Sequence, residues 1–117
     1  MSQETALIER YFDAFNHHDL EAVMACFDHE AVIVAAHGRR IEGADAIRAY
    51  YTSTFAAFHD AKCTIRSLVG EGGTGAVESQ FTGTRAGSEY PVCLMGVEVL
   101  EFRGDKITEL RDYHTSG

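Results

Sequence analysis

Residues 89–114 read EYPVCLMGVEVLEFRGDKITELRDYH. Along residues 89–103 the period of two puts Val92, Leu94, Gly96, Glu98, Leu100 and Phe102 on one face of a strand. Gly104-Asp105 interrupts the run, and residues 106–114 form a second strand with Thr108, Leu110, Asp112 and His114 on one face. Two alternating runs joined by two turn-forming residues make a β-hairpin. Both faces of Val92–Leu100 carry apolar side chains, so both need cover.

Upstream of the hairpin the strand pattern continues over residues 61–71 and 75–85, joined at Gly70-Glu71-Gly72-Gly73-Thr74-Gly75. No helix pattern follows that glycine cluster, which lies between two strand patterns, so it reads as a turn and not a phosphate cradle. Before residue 61 the period lengthens. Ile8, Tyr11, Phe12 and Phe15 form one stripe on a helix over residues 4–16, which Asn16-His17-His18 ends. Asp19 is placed to cap a short second helix carrying Leu20, Val23, Met24 and Phe27. Short strands are expected at Ala31–Ala36 and, after a turn at His37-Gly38, at Arg39–Glu42. Gly43 opens a third helix with Ile47, Tyr51, Phe55 and Phe58 along one side. Helices first and strands after predict an α+β fold, with helices covering one face of a curved antiparallel sheet. No repeat or linker interrupts the 117 residues, so residues 1–117 are expected to form one domain.

The formal net charge of −8 argues against nucleic acid and anionic membrane surfaces as partners. The ten Lys and Arg are scattered, with no basic run longer than Arg39-Arg40. Cys26, Cys63 and Cys93 are odd in number and lie in apolar segments without a CxxC, which reads as reduced core thiols in a reducing, cytoplasmic setting. The first residues show neither the basic nor the apolar region of a signal peptide, and no apolar run approaches the roughly 20 residues of a spanning helix. No histidines sit at i, i+4 on one face and none pairs with a cysteine at ligand spacing, so no metal is expected. No cofactor motif and no Gly-x-Ser-x-Gly elbow occur. His17, His18, His29 and His59 fall at helix ends or loops and are expected on the surface.

Two stretches carry a family resemblance. One is Ile8-Glu9-Arg10-Tyr11-Phe12-Asp13-Ala14-Phe15-Asn16 with Asp19-Leu20, Phe27 and Ala31-Val32; the other is Gly104-Asp105-Lys106-Ile107-Thr108-Glu109-Leu110-Arg111-Asp112-Tyr113. Between them lie Ile41-Glu42-Gly43, Ala46-Ile47 and Phe81-Thr82-Gly83-Thr84. In order, these resemble the SnoaL-like branch of the nuclear transport factor 2 and ketosteroid isomerase superfamily, which includes polyketide cyclases and limonene epoxide hydrolase. The resemblance implies a cone-shaped sheet closed by three helices around an apolar pocket, and a homodimer. Fold alone does not choose among the chemistries such cones host.

Glu98 interrupts an apolar strand face, where a carboxylate is costly unless paired or protonated. By resemblance it falls where ketosteroid isomerases keep an acid neutral to bind an oxyanion, a use of pKa tuning for which that enzyme is itself the worked example. An outward or ion-paired Glu98 is the alternative. Tyr11, after Arg10, matches the oxyanion-hole tyrosine; as an aromatic at helical spacing it also reads as core. The isomerase base would fall at or beside Ala35, which cannot accept a proton. Asp112, in Arg111-Asp112-Tyr113, matches the catalytic aspartate of limonene epoxide hydrolase and could replace that base, or simply pair with Arg111, Arg85 or Arg66. The hydrolase's partner Arg and second Asp are missing, because the nearest positions hold Val77 and Ser79. His37 stands at the expected pocket mouth, where a histidine can shuttle protons or merely be solvated.

The expectation is therefore a cofactor-independent acid/base isomerase, cyclase or dehydratase acting on a small apolar carbonyl compound. Tyr11, Glu98 and Asp112 would be catalytic, with Phe15, His37, Tyr51, Phe55 and Leu94 lining the substrate site. The alternative is a non-catalytic binding or dimerisation module of the same fold; an epoxide hydrolase fits least.

Overall fold

A computed structural model describes residues 2–115. Helix α1 (Gln3–Asn16) begins where the Ser2 hydroxyl accepts a hydrogen bond from the Thr5 N–H at 3.2 Å. Helix α2 (Leu20–Ala25) begins likewise at Asp19, whose carboxylate accepts from the Ala22 N–H at 3.1 Å. Strand β1 (Phe27–Val34) and the short β2 (Arg40–Glu42) flank a 3₁₀ turn at Ala36–Gly38. Helix α3 (Ala44–Ala57) follows Gly43, whose φ of 90° suits a residue without Cβ. Strands β3 (Lys62–Glu71), β4 (Thr74–Thr84), β5 (Pro91–Arg103) and β6 (Lys106–His114) complete the chain.

One six-stranded sheet has the order β2-β1-β6-β5-β4-β3. Every neighbouring pair is antiparallel except β1 with β6, which run parallel. That pair joins the early strands to the late hairpins, a connection the local pattern did not reveal. Three helices on one curved sheet give the α+β cone expected from the sequence. Two boundaries differ from the sequence reading. Phe27 leaves the second helix and opens β1, because it pairs with Ile107 across the parallel ladder. Ala35 and Ala36 lie beyond β1, whose last pairing is at Val34.

Ile8, Phe12, Val23, Ile33, Ile47, Val77, Leu100 and Ile107 are each no more than 3% exposed and form the centre of the core. Helix α1 lies close on the β3–β4 hairpin. A Cβ at Gly75 would come within 2.6 Å of Ile8 Cδ1, and one at Gly70 within 2.6 Å of Glu4 Cβ. At the other end of α1, Asn16 pairs with the backbone of Cys63 like a short strand, donating to its carbonyl at 2.8 Å and accepting from its N–H at 2.7 Å. Cys93, expected as a core thiol, is instead exposed, because it alternates with Val92 and Leu94 onto the other face of β5. Among the described residues no helix is long and apolar enough to cross a membrane.

Candidate active site

The concave face of the sheet and the inner side of α1 and α3 enclose a cavity of about 510 Å³. Tyr11 and Phe15 of α1, Tyr50, Tyr51, Thr54 and Phe58 around α3, and Leu94 and Leu110 of the hairpin contribute to its wall. Into this largely apolar space the hairpin brings Glu98, Asp112 and His114. Their meeting follows from register: Glu98 lies opposite Asp112, and Gly96 opposite His114, across β5 and β6.

The register extends to a third strand, since Ser79 of β4 lies opposite Gly96. Because Gly96 has no side chain, the His114 ring can lie across it towards Ser79. A Cβ there would sit 2.9 Å from His114 Cγ and 2.3 Å from the Tyr113 carbonyl oxygen. The result is a hydrogen-bonded chain. Asp112 engages His114 Nδ1, and His114 Nε2 lies 3.3 Å from the Ser79 hydroxyl. Ser79 also donates to Glu98 at 3.4 Å.

Electrostatics separates these groups. Glu98 is 6% exposed, and burial first, then the neighbouring Asp112 charge, raise its pKa to about 7. His114 and the Ser79 hydrogen bond oppose that shift. The Asp112 hydrogen bond raises His114 above the ordinary imidazole range, against the effect of burial. The Tyr11 and Tyr51 hydroxyls are 2.5 Å apart and hydrogen-bond one another. Burial raises both phenols well above their usual range, so both stay protonated. Burial also pushes Tyr50 to about 12; the charges of Asp112 and Glu98 add to this while Arg39 opposes it. Tyr50 therefore lies within the field of both carboxylates. Burial raises the Cys63 thiol well above its usual range, which makes it an unreactive thiol in the wall.

Tyr11, Glu98 and Asp112 therefore share one cavity, together with Phe15, His37, Tyr51 and Leu94. Glu98 is not on the outer face and, among the described residues, has no guanidinium partner; Arg111 instead binds Glu101 and Glu109. Phe55 is a correction. Its ring stacks on His18 at 4.6 Å and packs on Phe15, behind the cavity wall. Tyr51 and Phe58 of the stripe read in the sequence do line the cavity, and Tyr50 and Thr54 join them in place of Phe55. His18 is also less exposed than expected, because its ring accepts that stack and Nε2 bonds the Ala61 carbonyl at 2.8 Å. His37 is exposed at the mouth with a φ of 65°. Near Ala35 the wall comes from Ile33 and Ala36, neither with an acceptor side chain.

His114, Tyr50 and Arg85 were missed as site residues. His114 had a visible signal, being two positions from Asp112 on the same strand face. Ser79 had none, since only the pairing of three strands brings it to His114. Among the described residues no group of three His, Cys, Asp or Glu side chains is arranged to hold a metal ion.

Residues 8–110 match the family described as SnoaL-like domain. A search of curated proteins gave no match. Three similar solved structures show the same fold. An epoxide hydrolase/cyclase-like enzyme, SalBIII, of pyran ring formation in the polyether salinomycin superposes with a TM-score of 0.87 and 22% identity, covering 95% of this chain and 89% of its own. A putative SnoaL-like polyketide cyclase from Jannaschia sp. CCS1 gives 0.86 and 17%, covering 96% and 85%. A hypothetical protein of ketosteroid isomerase-like fold from Catenulispora acidiphila, in complex with trimethylamine, gives 0.84 and 22%, covering 92% and 83%.

Proposed function

Because this chain belongs to the SnoaL-like domain family, we propose that its cone binds a small apolar carbonyl compound and moves a proton at the carbon beside the carbonyl. The observation that carries this reading is the gathering of Glu98, Asp112 and His114 in one otherwise apolar cavity with the Tyr11–Tyr51 pair. Perturbed acids and bases in such a space suit acid/base work.

In this reading the Asp112 carboxylate takes the proton from carbon, and the carbonyl oxygen becomes an enolate. Protonated Glu98 and the Tyr11 hydroxyl donate to that oxygen, and Tyr51 holds the Tyr11 hydroxyl in place. Donors fixed where negative charge develops lower the barrier more than they aid ground-state binding. His114 orients Asp112. The enolate can take its proton back at a different carbon, attack a second carbonyl, or expel a β-hydroxyl as water. These outcomes are isomerisation, cyclisation and dehydration. Similarity to a polyketide cyclase and to an epoxide hydrolase/cyclase-like enzyme is in keeping with this range. Epoxide opening is disfavoured because Val77 and Ser79 stand where that mechanism needs charged partners.

The reading is tested by comparing β-naphthol, a planar enolate mimic, with β-tetralone, the matching ketone. The naphthol should bind more tightly, and Tyr11→Phe should remove most of that preference while the ketone still binds. Equal affinity of wild-type protein for the two compounds would contradict enolate recognition.

A further inference from the structure

A groove of about 540 Å³ runs from the cavity mouth along the outer side of α3. Ala46, Ala49, Ser53 and Ala57 form its floor. Tyr50, Thr54, Phe58 and Arg85 line both the groove and the cavity, so the two spaces adjoin. The groove also holds Arg39 and Arg40, giving it three of the chain's ten Lys and Arg. Its single carboxylate, Glu42, is engaged by Arg40 at 3.4 Å. Among the described residues, neither Arg39 nor Arg85 has a carboxylate within 4.0 Å.

Both cations are held on fixed backbone. The Ala35 N–H donates to the Arg39 carbonyl at 2.8 Å, closing the turn before β2. The Ala86 N–H donates to the Ala57 carbonyl at 2.7 Å, and Thr84 N–H donates to Asp60 at 2.8 Å, tying the end of β4 to the end of α3. The Arg85 guanidinium lies over the Phe58 ring at 4.8 Å. On a chain of net charge −8, two guanidinium groups without carboxylate partners beside a cavity are a local reversal of the field.

We propose that the ligand of the cone carries a carboxylate, remote from its carbonyl, which the groove binds between Arg39 and Arg85. This inference rests on the carbonyl-binding reading above and adds the charge of the substrate to it. Guanidinium groups match a carboxylate in shape as well as charge. The apolar body would fill the cavity while its tail leaves past Tyr50 and Phe58.

The test is the ratio of two affinities measured with the full chain by fluorescence titration. One probe is β-naphthol. The other is a hydroxynaphthoate with its carboxylate on the ring remote from the hydroxyl. The naphthoate should bind about five- to tenfold more tightly at low salt. The advantage should shrink as salt is added. Arg39→Gln and Arg85→Gln should each reduce the ratio, and Arg39→Lys should recover part of it. A ratio near one in wild-type protein would overturn the inference and leave the cavity reading standing, as would a ratio that the Arg variants do not change. Failure of both probes to bind would overturn the cavity reading and this inference with it.

Discussion

At the scale of single residues, Glu98 connects stability to chemistry. Its folded pKa of about 7 lies above the ordinary carboxylate value of 4.5, so between those values the folded protein holds more protons than the unfolded chain. Stability must then fall as pH rises through this window, by roughly 3 kcal/mol if Glu98 acts alone. The raised pKa of His114 has the same sign, since its contribution is also lost as pH rises. Glu98→Gln should fold and show a flatter dependence, which denaturant unfolding at several pH values measures. An NMR titration placing Glu98 at or below its ordinary value would contradict the burial argument. For catalysis the expectation is a decline above about pH 7, when Glu98 loses the proton it donates. The Gln variant keeps an N–H donor and should lose that alkaline limb.

Among the elements, the β5–β6 hairpin does most of the positioning, and Gly96 is the position on which its inner surface turns. A methyl there would meet the Tyr113 carbonyl and the His114 ring, so Gly96→Ala should displace His114. A cost of about 1–3 kcal/mol is expected from such overpacking. Thermal unfolding measures the loss, and the His114 imidazole resonances should shift with it. The hairpin is also where the sequence was most informative. Alternation alone grouped Glu98 with Val92, Leu94, Leu100 and Phe102, and Asp112 with His114, because a strand's period of two survives any tertiary context; which face turns inward was not legible, since both faces are apolar. Helix α3 was harder to orient. Tyr50 and Tyr51 are adjacent and both aromatic, and the choice of the stripe through Tyr51 and Phe55 over that through Tyr50 and Thr54 is settled only by what α3 packs against. The parallel β1–β6 pairing was invisible for a similar reason: nothing local in Phe27–Val34 specifies a partner 80 residues away.

For the molecule as a whole, the outer face of the sheet is the unfinished surface. Val69, Met95, Val97 and Tyr113 are 68%, 40%, 39% and 59% exposed, and Val97 stands opposite Tyr113 across β5 and β6. Apolar side chains on a sheet face invite a partner. We propose that a second copy of the chain covers them. Light scattering should then give twice the chain mass of 12.9 kDa, and Val97→Lys should shift the population to monomer. A single species at the chain mass for wild-type protein would contradict this.

The central claim, that the cone moves a proton beside a carbonyl, is tested most directly by deuterium wash-in from D₂O into small cyclic ketones, followed by mass spectrometry. Wild-type protein should accelerate exchange at the carbon beside the carbonyl. Asp112→Asn should lower the rate about a hundredfold or more while β-naphthol still binds. No exchange above buffer by wild-type protein that binds β-naphthol would contradict the claim and leave a binding module in its place.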